Sequence, residues 1–160
     1  MLKKRRSFAT GKLILFIPVI IIILIILYSL FTWMSPGNQA KKTVATFYTY
    51  EQAGAFSDSW EMFHPLMKQR FSRGHYIQDR AHVFMNHFGV DTFSYSLGNA
   101  SKEENWAITE GDEAAILETV YKIKVTQTYR GKYGHFDIHQ NVFVAKDDEG
   151  DRSILWDYKK

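Results

Sequence analysis

Twenty-two consecutive residues, Leu13 to Met34, carry no charged side chain, and Val19 to Leu27 within that run is isoleucine and leucine after its first residue. A helix on a protein surface needs only one apolar stripe, whereas a run apolar on every side calls for lipid or a large core. As a helix it is about 33 Å long, enough to cross a hydrocarbon layer of about 30 Å. Tyr28 and Trp33 lie toward its far end, where amphipathic rings favour the interface. Pro18 falls in the first two turns, where lipid-embedded helices tolerate it. Lys3, Lys4, Arg5 and Arg6 precede the run, so the positive-inside rule keeps residues 1–12 in the cytoplasm and places the chain beyond the span outside. A cleaved signal peptide is the competing reading. Its apolar region usually has about 7–15 residues and ends at small residues in an A-x-A pattern. This run is longer and leads into Ser35-Pro36-Gly37-Asn38-Gln39-Ala40. With no G-x-x-x-G spacing and no charge inside it, residues 13–34 read as an uncleaved single-pass tether.

A net charge of +3 would point to nucleic acid only if the basic residues clustered in the folded part. Five of the twenty, Lys3, Lys4, Arg5, Arg6 and Lys12, precede the span, leaving fifteen against seventeen acidic residues in the rest. No nucleic-acid partner is expected. The absence of cysteine excludes disulfides, thiolate metal sites, a cysteine nucleophile and a lipoprotein anchor. The folded part must therefore be held by its own core, for which aromatic residues, 16% of the chain, supply large side chains.

Ser35-Pro36-Gly37-Asn38 interrupts the helical pattern, so residues 35–39 read as a linker and 40–160 as one extracytoplasmic domain. Val44, Phe47 and Tyr48, then Ala55, Phe56, Trp60 and Phe63, recur at three- and four-residue steps, and Ile77, Ala81, Phe84 and Phe88 make a second helical stripe. Pro65 opens a further turn, with Leu66 and Met67 inward. After Gly89 the period becomes two: Phe93, Tyr95 and Leu97 alternate with Thr92, Ser94 and Ser96. Gly111-Asp112 and Gly131-Lys132 fit two-residue hairpin turns. The second turn pairs Val125 with Ile138, Tyr121 with Val142 and Thr119 with Val144, leaving Lys124 with His139 and Lys122 with Asn141 on the other face. The first pairs Trp106 with Leu117 and Ile108 with Ala115, so both turns assign one apolar face to the shared strand. A last strand carries Ile154, Trp156 and Tyr158. Helices followed by an antiparallel meander predict an α+β fold with helices on one side of the sheet.

Phe47-Tyr48-Thr49-Tyr50, followed by Gly54-Ala55-Phe56-Ser57-Asp58-Ser59-Trp60-Glu61-Met62-Phe63-His64-Pro65, resembles the first helix, small-residue turn and second helix of the cystatin-like cone in the nuclear-transport-factor-2 and ketosteroid-isomerase superfamily. The resemblance runs in element order from about Ala40 to Tyr158. It implies a cone with Trp60 pointing inward, and membrane-tethered bacterial relatives that act as scaffolds of secretion, conjugation or sporulation assemblies. It also implies isomerases and dehydratases with acidic or histidine groups in the cone; no such set maps onto this chain residue by residue.

Candidate site residues fall into three groups. His135, Asp137 and His139 share one strand face and have the residue types of a metal site, but the hairpin register puts them on the non-core face, with Lys124 opposite His139. His75, Asp79 and His82 lie at i, i+4 and i+7 of a helix and read as a solvated face before an acid–base or metal pair. His64 before Pro65 fits turn geometry, His87 fits a helix C-terminus, and Asn99-Ala100-Ser101 matches a glycosylation sequon that matters only in a eukaryotic secretory host. Gln127, Gln140, Thr119 and Tyr121 share the core face with Val125; buried there they must bond one another or, with Trp60 and Trp106, line a pocket for a small ligand. No catalytic, cofactor or metal residues are assigned. The leading expectation is a non-catalytic membrane-tethered scaffold that binds another envelope protein or a copy of itself. A binder of small molecules or wall fragments and an isomerase- or hydrolase-like enzyme are the alternatives.

Overall fold

The computed structural model describes residues 9–82, 89–90, 92–108, 115–132 and 134–157, with side chains from Phe16 onward. The chain divides into two units, Met1–Ser35 and Pro36–Lys160.

The first unit holds helix α1, Ala9–Trp33. Its aliphatic side chains are about half exposed all along the span, as at Ile20 and Ile26, so none of them is claimed by protein packing. Phe16–Trp33 is long and apolar enough to cross a membrane, which is compatible with a single-pass protein.

In the second unit, α2 (Pro36–Gln52) begins at once. The residues expected to form a linker, 35–39, are thus mostly helical: the break falls at Met34 and Ser35, and Pro36 opens the next helix, since the first helical position needs no N–H partner. The buried stripe of α2 is Ala40, Val44, Phe47, Tyr48 and Glu51. The helix ends in a Schellman turn: Gly54 has φ +69°, Ala55 N–H donates to Tyr50 O at 2.9 Å, and Gly54 N–H donates to Glu51 O at 3.2 Å. Three short helices follow, α3 (Phe56–Glu61), α4 (Pro65–Arg70) and α5 (Arg73–Ala81). His64 caps α4, its Nδ1 accepting from Leu66 N–H at 3.3 Å, and Ser72 caps α5 by accepting from His75 N–H. The expected stripe partners Phe84 and Phe88 lie outside the described residues.

Strands β1 (Phe93–Ala107), β2 (Ile116–Gly131), β3 (Gly134–Lys146) and β4 (Arg152–Trp156) form an antiparallel sheet in sequence order. The unit is α+β, as the change of period predicts. Trp106 pairs with Leu117 as expected, while the tip of that hairpin, 109–114, lies outside the described residues. The second hairpin corrects the expected register: Gly131 pairs with Gly134, so Val125 faces Gln140, Tyr121 faces Val144 and Lys124 faces Asn141. Gly134, at φ +112°, takes the backbone conformation that lets the reversal move one residue along. Moving the turn by one residue shifts every pair by two, and an even shift leaves each side chain on the face its parity assigns.

One sheet face packs on α2. Tyr95, Ile123, Val125, Tyr129, Val142, Ile154 and Trp156 meet Phe47, Tyr48 and Phe63 in a continuous aromatic core. The edge-to-face pairs Phe63–Trp156 (4.9 Å) and Phe63–Tyr76 (5.1 Å) add about 0.5–1.5 kcal/mol each to plain burial. The opposite face also carries buried residues, Val120, Phe143, Ala145 and Leu155. The outer edge of β4 is met by residues 62–64: Ile154 N–H donates to Met62 O and His64 N–H donates to Ile154 O.

Candidate functional site

The one buried carboxylate among the described residues is Glu51, whose side chain is fully enclosed. It is the last member of the α2 stripe, and the Schellman turn fixes it in the helix's final turn, where the carbonyl dipoles disfavour a negative charge. Four donors compensate. Its Oε1 accepts from Ser59 Oγ at 2.5 Å and Tyr76 OH at 2.7 Å; its Oε2 accepts from Arg80 Nε at 2.5 Å and pairs with Arg80 Nη2. Tyr76 and Arg80 are one helical turn apart on α5, which aims both at the same point. Burial works against the charge on Arg80, but Glu51, Tyr76 and Tyr129 around it together raise its pKa above the ordinary value. Burial first, then the neighbouring Glu51 charge, pushes the Tyr76 phenol well above the usual tyrosine range.

Next to this group lie the tyrosine–glutamine contacts of the sheet. Tyr48 OH donates to Gln140 Oε1 at 3.3 Å and Tyr129 OH to Gln127 Oε1 at 2.6 Å. Burial raises the pKa of both phenols, so they remain neutral donors. Gln127 and Gln140 therefore bond to core tyrosines. Trp60 lies at the α3 side, its Nε1 donating to Phe71 O at 3.0 Å with Lys68 Nζ 5.1 Å from its ring. The indole Nε1 of Trp156 is buried with no acceptor among the described residues.

Trp106 departs from the expected face. Its ring stacks on Phe143 at 4.5 Å, on the side away from α2, although its pairing with Leu117 is as expected. The cause is Asn105, whose φ of +52° interrupts the alternation of β1 just before the tryptophan. Trp106 thus shares a face with Phe143 and Lys122, whose Nζ lies 5.8 Å from the Phe143 ring.

Tyr121 remains on the helix side and lines a cleft of about 430 Å³ at the end of the sheet where α2 begins. Pro36, Leu117, Thr119, Val144, Lys146 and Arg152 form much of its remaining wall, to which Glu118 also contributes. Gly37 marks the limit of helical cover: a Cβ there would stand 3.4 Å from that of Ala100 and 3.8 Å from the Tyr121 ring.

The histidines lie elsewhere. His135, Asp137 and His139 are exposed, with His139 Nδ1 2.9 Å from Thr126 Oγ1. His75, Asp79 and His82 are exposed on α5, and Asn99 is exposed in β1; His87 falls outside the described residues. No group of three His, Asp or Glu among the described residues is placed to hold a metal ion. His64 is buried at its capping position; desolvation lowers its pKa, against the opposing pull of Asp147 and Asp148.

Sequence reasoning missed Glu51 and Arg80. The available signal was the continuation of the Val44–Phe47–Tyr48 stripe onto a charged residue, which calls for a buried partner. Neither a scan of protein families nor a search of curated proteins finds a match to this chain.

Proposed function

We propose that this chain is a membrane-tethered, non-catalytic scaffold or accessory protein, its outer domain a cystatin-like cone that binds another envelope protein. One observation carries the reading: the buried acid is committed to four donors from its own fold. A general base must present a lone pair to a substrate proton, and Glu51 has its oxygens occupied by Ser59, Tyr76 and Arg80. The space between α2 and the sheet is filled by Phe47, Tyr48, Phe63, Tyr76, Tyr129 and Trp156, which favours a structural core over an open ligand chamber. The basic N-terminus supports an outward-facing domain, and a tether raises the local concentration of even a weakly binding surface. Exposed β3 residues such as Ile138, 36% exposed, belong to the contact surface.

A photo-crosslinking amino acid placed in turn at Ile138, His135, Lys124 and Asp79 in native membranes tests this. The expected result is one discrete adduct, with the same envelope protein, from positions on one face and none from the others. Absence of a discrete adduct at every position would retire the scaffold reading.

A further inference from the structure

The margins of the sheet are protected unequally. β1 is interrupted twice, by the register shift between Leu97 and Ala100 and by Asn105 at φ +52°, and such irregularities spoil an edge for further pairing. The outer side of β4 is taken by residues 62–64. β4 itself pairs only with Val142–Lys146, so the first half of β3, from Gly134, has no strand on that side among the described residues. This half is regular: its pairing with β2 runs from Gly134 to Val144 without a shift. In an antiparallel ladder, successive residues of a strand bond to opposite sides. Asp147 N–H donates to Asp151 O across the β3–β4 turn, so the odd-numbered residues of β3 aim their backbone groups toward β4 or, where β4 is absent, into the open. Those open groups belong to His135, Asp137 and His139, all exposed, and Ile138 between the last two is 36% exposed.

We infer that this edge pairs with the same edge of a second copy of the chain, antiparallel, about a two-fold axis at Ile138. The order of side chains selects both occupant and register. Backbone bonding sets odd residues opposite odd residues, which allows the two-fold at 136, 137, 138 or 139. At 137 it opposes two Asp137 carboxylates, which repel, and at 139 it opposes two histidines and leaves Asp137 without a complement. At 136 it sets Ile138 against Gly134 and leaves its apolar surface in water. At 138 each Asp137 faces His139 of the other copy, and the two Ile138 side chains cover one another. Asp137 has no ion pair within its own chain among the described residues. His139, with Thr126 Oγ1 at its Nδ1, keeps Nε2 to donate to a carboxylate. Within 124–130 of β2 and 135–141 of β3, Asp137 is the one acidic residue, so no second carboxylate there competes for the histidine. The pairing joins two four-stranded sheets into one. It rests on the scaffold reading, whose Ile138 surface it assigns to a second copy. Pairing over a few residues is weak alone and suits chains that a tether holds at high local concentration.

The test uses the full chain in proteoliposomes with no other protein present, and it exploits the absence of native cysteine. Opposed residues that exchange no backbone bonds stand about 4.5 Å apart at Cα, within the span of a disulfide. Under mild oxidation Ile138→Cys should form a covalent dimer roughly tenfold faster than Lys124→Cys, an exposed β2 position away from the edge that reports random collision. Adding His139→Asp to Ile138→Cys sets carboxylates opposite one another and should bring the rate down to that of Lys124→Cys. Adding Asp137→His as well exchanges the two groups, remakes each pair and should restore the rate. Every variant should keep the near-ultraviolet circular dichroism spectrum of the parent chain. A rate at Ile138→Cys no faster than at Lys124→Cys overturns the self-pairing. So does faster dimer formation from Phe136→Cys, or an exchange that fails to restore crosslinking. The scaffold reading survives any of these results if a photo-crosslinker at Ile138 still captures another envelope protein in native membranes.

Discussion

A carboxylate in the last turn of a helix faces unpaired carbonyls, and enclosing it also removes its water. Glu51 tolerates both conditions only through Arg80, Tyr76 and Ser59. Glu51→Gln leaves the largely buried guanidinium uncompensated and should cost about 3–5 kcal/mol, read from chemical unfolding of the domain in detergent. Combining Glu51→Leu with Arg80→Met should recover part of that loss, because the pair vanishes together with its desolvation cost while the Tyr76 and Ser59 hydroxyls lose their acceptor. His64 predicts a pH effect of defined sign. Its folded pKa is lowered by burial, so the unfolded chain takes up the proton more readily. Its contribution to stability is complete above the ordinary histidine value of about 6.5 and is lost as pH falls through the lower folded value. His64→Asn keeps a capping acceptor without titrating, so the variant's stability should fall less steeply on that acid side in a series of thermal melts. At this scale, Val44, Phe47 and Tyr48 were legible because apolar periodicity is local. Glu51 and Arg80, 29 positions apart, each read as solvated until folding joins them.

At the scale of elements, the sheet shows which features a local code determines. The meander and its faces followed from alternation alone, since the β2–β3 register could move by two residues without turning a side chain over. Trp106 did not follow, because one left-handed residue inside β1 resets the alternation. Asn105→Val should therefore cost about 1–2 kcal/mol, the usual penalty for a non-glycine residue in that conformation, and should alter the Trp106 signal in near-ultraviolet circular dichroism. Asn105→Gly should leave both nearly unchanged. The linker expected at 35–39 shows the same limit: proline and glycine mark a break, but proline also starts helices, and here packing of Gly37 against Ala100 and Tyr121 continues the chain as α2.

For the whole molecule, the two units answer to different solvents. From Phe16 onward α1 exposes its aliphatic surface, while the second unit encloses an aromatic core between α2 and the sheet. If the domain lies outside the cytoplasm, the cysteine-free chain gives a clean assay. Lys124→Cys, at an exposed β2 position, should react with a membrane-impermeant maleimide on intact cells. Protection until lysis would reverse the orientation.

What the sequence determined by itself were the properties set by residues close along the chain. These are the length of the apolar span, the side on which its positive charges lie, the helical and strand periods, and hence the α+β class. The tertiary structure alone decided which distant charges are brought together. Electrostatic and desolvation energies depend on distance through space, so Glu51 became a buried, paired anion, while Lys146 and Arg152 were brought together beside a cleft.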